Sequence, residues 1–168
     1  MAQARVLVSA CLLGERVRYN GADAAADSPI LARWLAEGRV VPFCPEVAGG
    51  LGVPRPAAEI QGGDGEAVLA GAGRVATESG VDLTESFLRG ARLCIDAAEA
   101  ENARAAVLKD GSPSCGSRSI HDGAFRGRRV AGSGVTAALL ERRGIRVFSE
   151  CELEEAAEYL EGLDRGHS

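Results

Sequence analysis

The stretch Ala105-Ala106-Val107-Leu108-Lys109-Asp110-Gly111-Ser112-Pro113-Ser114-Cys115-Gly116 reads as a buried strand that breaks into a turn-rich loop carrying a cysteine. A short unbroken apolar run suits a strand covered on both faces, as in a parallel sheet. Gly, Ser and Pro then favour turns. The pattern occurs twice more: Val6-Leu7-Val8 precedes Cys11, and Val40-Val41-Pro42-Phe43 precedes Cys44. If these runs are parallel strands of one sheet, all three thiols lie along its carboxyl edge, where open α/β folds build their sites. Three thiolates on one edge make a metal site with a ligand missing, which suggests an open coordination position and therefore chemistry.

Working outward, Asp27 or Ser28 caps a helix that has Pro29 in its first turn and an apolar stripe at Ile30, Leu31, Trp34 and Leu35. Gly38 ends it. With strands on either side this is a βαβ-sized unit, so the first two strands should be parallel. From 44 to 65 the chain is rich in Gly and Pro and has little periodicity. Structureless loops of this length tend to be functional, and its apolar residues predict a packed, site-forming loop. A β-hairpin is expected next, with arms at 67–69 and 74–77 turning through Ala70-Gly71-Ala72-Gly73.

A long helix over 83–103 places Phe87, Ala91, Cys94, Ile95 and Ala98 on one face, so Cys94 reads as core. A further helix opens at Ser133 or Gly134, and a fourth strand covers 145–148. Ser149 and Glu152 then form a capping box for the last helix. The expected fold is a compact α/β domain over residues 1–163. It has a mostly parallel, Rossmann-like sheet of about four strands flanked by helices and a β-hairpin insertion, with a frayed tail from Asp164.

Composition narrows the function classes. Among 168 residues, 46% are hydrophobic and 26% charged, ordinary for a globular chain. The net charge of −5 and aromatic content of 4% argue against direct nucleic-acid binding and against a base-stacking platform. A small, modestly polar substrate fits better. No apolar run approaches a membrane span. Val8-Ser9-Ala10-Cys11 resembles a lipoprotein cleavage site, but the apolar stretch before it is far too short for a signal peptide. Five cysteines without a CxxC pair point to a reducing cytoplasm.

Several chemistries use such thiols. A nucleophilic thiol needs a nearby base or helix N-terminus. Arg16 and Arg18 each miss by one residue the arginine spacing of a Cys-based phosphatase, and a Cys–His pair would have to recruit His121 or His167. Three cysteines with His121 could hold zinc, although structural zinc sites usually use closely spaced ligand pairs. Cys151 also follows a strand and could be an extra ligand, but it lacks the Gly/Pro loop of the other three and reads better as a first-turn residue. Widely separated ligands suit an iron–sulfur cluster seated over the sheet edge with one iron open. Glu46, two residues after Cys44, and Ser112 and Ser114, just before Cys115, bring acid–base groups to the ligands. An extended Cys-Pro-Glu step would let Cys44 and Glu46 reach one pocket.

Three motifs, in order, resemble a known bacterial family. They are Ser9-Ala10-Cys11-Leu12-Leu13-Gly14 with Val17-Arg18-Tyr19; Cys44-Pro45-Glu46-Val47 with Gly49-Gly50-Leu51 and Pro54-Arg55; and Lys109 with Ser112-Pro113-Ser114-Cys115-Gly116. The family includes the iron–sulfur-dependent thiouracil desulfidases. The resemblance implies a 4Fe–4S cluster on Cys11, Cys44 and Cys115, with a free iron for the sulfur of a thiolated nucleobase such as 2-thiouracil. It implies catalytic roles for Glu46 and Ser112, with Tyr19, Arg55, Lys109 and Ser114 as candidate substrate-binding residues. The other class of function open to the same residues is a cluster- or zinc-binding sensor or sulfur-trafficking module without turnover.

Overall fold

The computed structural model describes residues 3–166. Strand β1 (Arg5–Ser9) runs into a 3₁₀ turn, Ala10–Leu13, and an irregular segment leads to helix α1 (Pro29–Ala36). Strand β2 (Val40–Phe43) is followed at once by the one-turn helix α2 (Pro45–Ala48). Strand β3 (Ala58–Gln61), helix α3 (Gly65–Leu69) and strand β4 (Arg74–Thr77) come next, then the long helix α4 (Thr84–Ala100). After β5 (Ala103–Leu108), short strands β6 (Ser119–His121) and β7 (Arg129–Ala131) precede α5 (Val135–Arg142). Strand β8 (Arg146–Ser149) and helix α6 (Leu153–Gly166) complete the described chain.

The expected parallel sheet is present, with four strands in the order β2-β1-β5-β8, every pair parallel. Alternating side chains explain why its strands read as unbroken apolar runs. Val6, Val8, Ala105 and Val107 pack under Leu31, Trp34 and Leu160 on the face of α1 and α6. Leu7, Ala106 and Leu108 pack on the other face with Cys94, Ile95 and Leu140 of α4 and α5. From β1 the chain steps outward to β2, then crosses to the other side of β1 for β5. The strand order therefore reverses between β1 and β5. That switch point, at the carboxyl ends, is where an open α/β sheet leaves a crevice. Cys11 and Cys115 follow the two strands that flank it.

The antiparallel insertion exists, but its arms are β3 and β4, which pair from Ala58 opposite Thr77 to Gln61 opposite Arg74. The expected first arm, 67–69, is helical. The Asp64 side chain caps α3 by accepting from the backbone N–H of Glu66 (3.1 Å) and Ala67 (3.3 Å), which draws Ala67-Val68-Leu69 into a turn. The segment 44–65 is accordingly less irregular than expected, since it holds α2 and β3. Helix α4 stops at Ala100, and Asn102, at φ 55, reverses the chain into β5. The tail expected to fray from Asp164 is the last turn of α6 as far as Gly166. Asp164 accepts from the backbone N–H of Ala4 (2.9 Å) and from Nη2 of the largely buried Arg39 (2.8 Å). Residues 167 and 168, with His167, lie outside the described ones. A second two-stranded sheet, β6–β7, occupies the stretch that reads only as basic and glycine-rich. Among the described residues no helix is long and apolar enough to cross a membrane.

Candidate active site

Each cysteine of the trio is set by the turn that ends its strand. Cys11 lies in the 3₁₀ turn after β1, where its carbonyl accepts from the N–H of Gly14 (3.2 Å) and Ala24 (2.9 Å). Cys44 is the N-cap of α2, with Pro45 at the first helical position. The Cys-Pro-Glu step is therefore a helix start rather than an extended segment. α2 is held against α4 by two glycines: a Cβ on Gly90 would stand 2.0 Å from the Pro45 carbonyl oxygen, and one on Gly49 would stand 2.2 Å from that of Ser86. Only glycine allows this approach, and it fixes where Cys44 and Glu46 sit.

The Cys115 loop is tied from inside. Ser112 Oγ accepts from the backbone N–H of Ser114 (3.0 Å) and Cys115 (2.7 Å). Asp110 Oδ1 accepts from the N–H of Ser117, Arg118 and Ser119 at 3.1–3.2 Å. Burial alone would raise the Asp110 pKa, but these bonds hold it below the usual carboxylate value. The carbonyls of Pro113 and Ser114 take the first N–H groups of α5, those of Val135 (2.8 Å) and Thr136 (2.9 Å), which a helix leaves without internal partners.

The three thiols border one cavity of about 370 Å³ at the switch point, together with Glu46, Ser112 and Lys109. Burial pushes the Cys11 thiol up to about 11, helped by Cys44 and opposed by Arg18 and Lys109. Burial also raises Cys44, and it raises Cys115 further, with Cys11, Cys44 and Glu46 adding to the effect. Two of the three thiols are buried and the third half-buried, beside the cationic side chains of Arg18, Arg55 and Lys109. A thiol raised in this way is not an activated nucleophile. Removing three protons together requires a cationic centre, and thiolates favour a soft, sulfur-binding metal. No group of three or more His, Cys, Asp or Glu side chains among the described residues is drawn tightly enough for a single ion. Three thiols on one cavity are the kind of donor set that a sulfur-binding centre takes.

Glu46 combines burial with one-sided pinning. Its side chain is 15% exposed, and Arg55 donates from Nε (3.1 Å) and Nη2 (2.9 Å) to the same oxygen, Oε1. Oε2 makes no hydrogen bond among the described residues. Burial raises the Glu46 pKa, and Arg55 and Arg18 counteract this only in part, so Oε2 is a stronger base than an exposed glutamate's. Arg55 also donates to the carbonyls of Gly52 (2.9 Å) and Val17 (3.0 Å), joining two loops.

Tyr19, Arg55 and Lys109 line the cavity as well. The Lys109 ammonium pairs with Glu150 at 3.1 Å. Ser114 is not brought there. It is buried, with its hydroxyl 2.9 Å from that of Thr136. Cys151 is exposed on the capped turn after β8 and Cys94 is buried in the core, so neither borders the cavity. His121 does, with Nδ1 3.0 Å from the Gly111 carbonyl oxygen. Sequence reasoning gave no role to Ser9, whose hydroxyl accepts from the Lys109 backbone N–H (3.0 Å) and donates to Cys115 Sγ (3.6 Å). Its only signal is position, at the end of β1 and facing the crevice. Glu59 and Phe125, from the two small sheets, also line the cavity and carry no motif that marks them.

The 2-thiouracil desulfurase family model matches residues 6–152, a span containing the cysteine trio, Glu46 and Ser112. This chain belongs to that family. It is 47% identical over 150 residues to the uncharacterized protein YbbK of Bacillus subtilis (strain 168), covering 89% of this chain and 98% of the relative. A solved structure of the [4Fe-4S]-dependent thiouracil desulfidase TudS superposes with a TM-score of 0.87 at 50% identity. It covers 95% of this chain and 99% of that one. This family member thus shares its fold with an iron–sulfur desulfidase over nearly its whole length.

Proposed function

We propose that this chain is an enzyme that hydrolyses the thiocarbonyl of a thiolated nucleobase such as 2-thiouracil, with a 4Fe–4S cluster held by Cys11, Cys44 and Cys115. The observation that carries the reading is the convergence of two buried thiols, a half-buried third and a one-sidedly pinned carboxylate on a single cavity. When bound, a cluster with only three protein ligands supplies a Lewis-acidic iron with a vacant position for the thiocarbonyl sulfur.

The side chains account for the rest. Glu46 Oε2 takes a proton from a water aimed at the thiocarbonyl carbon, while Arg55 keeps the carboxylate in place through Oε1. The water oxygen replaces sulfur: C=S and H₂O become C=O and H₂S, with no change in oxidation state. The proton on Glu46 returns to the departing sulfur. Both backbone bonds at Ser112 are accepted by its oxygen, so its hydroxyl proton is left to donate to the substrate or to relay a proton. Tyr19 and Lys109 border the same space and are proposed to contact the ring, while Arg55 acts through Glu46.

A sensor or sulfur-trafficking module could hold the same cluster but has no use for a pinned base beside it. A zinc site shared with His121 would have only Nε2 of that ring to use while Nδ1 faces the Gly111 carbonyl oxygen. The test is anaerobic incubation of the cluster-loaded protein with 2-thiouracil. Uracil and sulfide should appear in equal amounts without added reductant. Full cluster content with no uracil would contradict the proposal.

A further inference from the structure

The cysteine end of the cavity leaves open how a ring would be held. The wall supplied by the two small sheets carries two features that the chemistry above does not use. Glu59, on β3, is 92% buried, being 8% exposed, and it lines the cavity. Its Oε1 accepts from the backbone N–H of Gly123 (2.9 Å) and Phe125 (3.1 Å), which ties the β6–β7 connection over β3. Its Oε2 has no partner among the described residues. Ser117 Oγ is the one fully buried side-chain polar atom left without a hydrogen bond there, so Glu59 Oε2 is not fully enclosed, and the residue lines the cavity. A carboxylate oxygen that borders a cavity without a protein donor is left to accept from whatever occupies that cavity.

Phe125 is the second feature. Among the described residues it is one of two non-glycine residues with positive φ, at 57°, a conformation uncommon outside glycine. Backbone held in such a region gathers at ligand-binding sites. Here the Glu59 carboxylate holds the Phe125 N–H while the residue borders the cavity.

We propose that Glu59 and Phe125 recognise the heterocycle. Phe125 lies against a ring face, and Glu59 Oε2 accepts a ring N–H adjacent to the thiocarbonyl. This rests on the desulfidase reading and deepens it: the substrate class becomes thioamide-type rings that carry a free N–H, and N-alkylation at the recognised nitrogen is rejected. A site built to accept one hydrogen bond discriminates strongly against an analogue that lacks the donor.

The test is Glu59→Gln. Its retained oxygen preserves both backbone bonds, while an amide N–H₂ replaces the free acceptor. Cluster-loaded wild type and variant are compared on 2-thiouracil and on its N1-methyl and N3-methyl derivatives. For 2-thiouracil, kcat/KM should fall about 10- to 100-fold, the range for a hydrogen bond to a charged group, mostly through KM, with iron content and Tm unchanged. Wild type should lose a similar factor on one methyl derivative, and the variant should lose little more on it. Equal kcat/KM for wild type and variant, or the same loss on all three compounds, would overturn the inference. If the variant fails to load iron, the wild-type comparison alone decides, and equal rates on both methyl derivatives and 2-thiouracil overturn it. If wild type releases no uracil, the desulfidase reading fails separately, and equilibrium binding of 2-thiouracil decides this one. Weaker binding by the variant supports it, whereas equal binding or no binding by either protein overturns it.

Discussion

The four-stranded sheet and the two small antiparallel sheets face the same cavity but are built to different rules. In the first, β1 and β5 are buried on both faces, the loops that leave them carry Cys11 and Cys115, and Cys44 follows the edge strand β2. Those loops are locked by backbone bonds and by glycines that admit no side chain. In the second, β7 is exposed along its length, and the connecting loop is held to β3 by the Glu59 carboxylate and by the Gln61 amide, which donates to the Gly123 carbonyl (3.4 Å). The lesson is a division of labour. The groups proposed to react grow from the rigid sheet, while those proposed to choose the substrate sit on lighter elements that can vary without disturbing it.

Four changes test that contrast. The largest effect is expected from Glu46→Gln, on the rigid side. Loss of the proposed general base should lower kcat by about 10²- to 10⁴-fold, with iron content unchanged, as read by anaerobic steady-state kinetics and iron analysis. Next is Arg55→Ala, which should cost roughly 10-fold in kcat/KM at neutral pH, the scale of a lost charged hydrogen bond. The sign of its pH effect follows from the electrostatics. Arg55 lowers the Glu46 pKa, so its removal raises that pKa, and the base is protonated up to a higher pH. The acid limb of the kcat/KM profile should therefore move upward, and an unmoved limb would break the assigned pairing.

Gly90→Ala probes the scaffold behind the site. The new Cβ collides with the Pro45 carbonyl, and overpacking of this kind costs about 1–3 kcal/mol. Tm should drop by several degrees and cluster loading should fall, because α2 carries Cys44. The smallest effect is expected from Cys151→Ser. This exposed thiol lies outside the cavity, so iron content and kcat should match wild type, and any loss of iron would reinstate it as a ligand.

The rigid side was the more legible in the sequence. Apolar runs that stop at Gly, Pro and Ser announce buried strands and the loops after them, and three such runs ending in cysteine place a site at one sheet edge. Cys94 reads as core because helical spacing puts it beside Phe87, Ala91 and Ile95, and it is in the core. The lighter side was not legible. Ala67-Val68-Leu69 is too short for periodicity to separate a strand from a helical turn, and the capping bond from Asp64 decided the matter. The partner of β4 lay earlier, in a segment whose glycines and prolines hide a strand. Glu59 and Phe125 reach the cavity only through pairings between β3, β4, β6 and β7, which no local pattern encodes. Ser114 shows the converse: it sits within a motif, yet the hydroxyl of Thr136, 22 residues later, holds it in the interior.

The central claim is most directly tested by iron and sulfide analysis of anaerobically purified protein. Wild type should hold about four of each per chain. Cys11→Ala, Cys44→Ala and Cys115→Ala should each lose most of both, while Cys94→Ala and Cys151→Ser retain them. Undiminished iron in any of the first three, or its loss in either of the last two, would contradict a cluster held at the carboxyl edge by this trio.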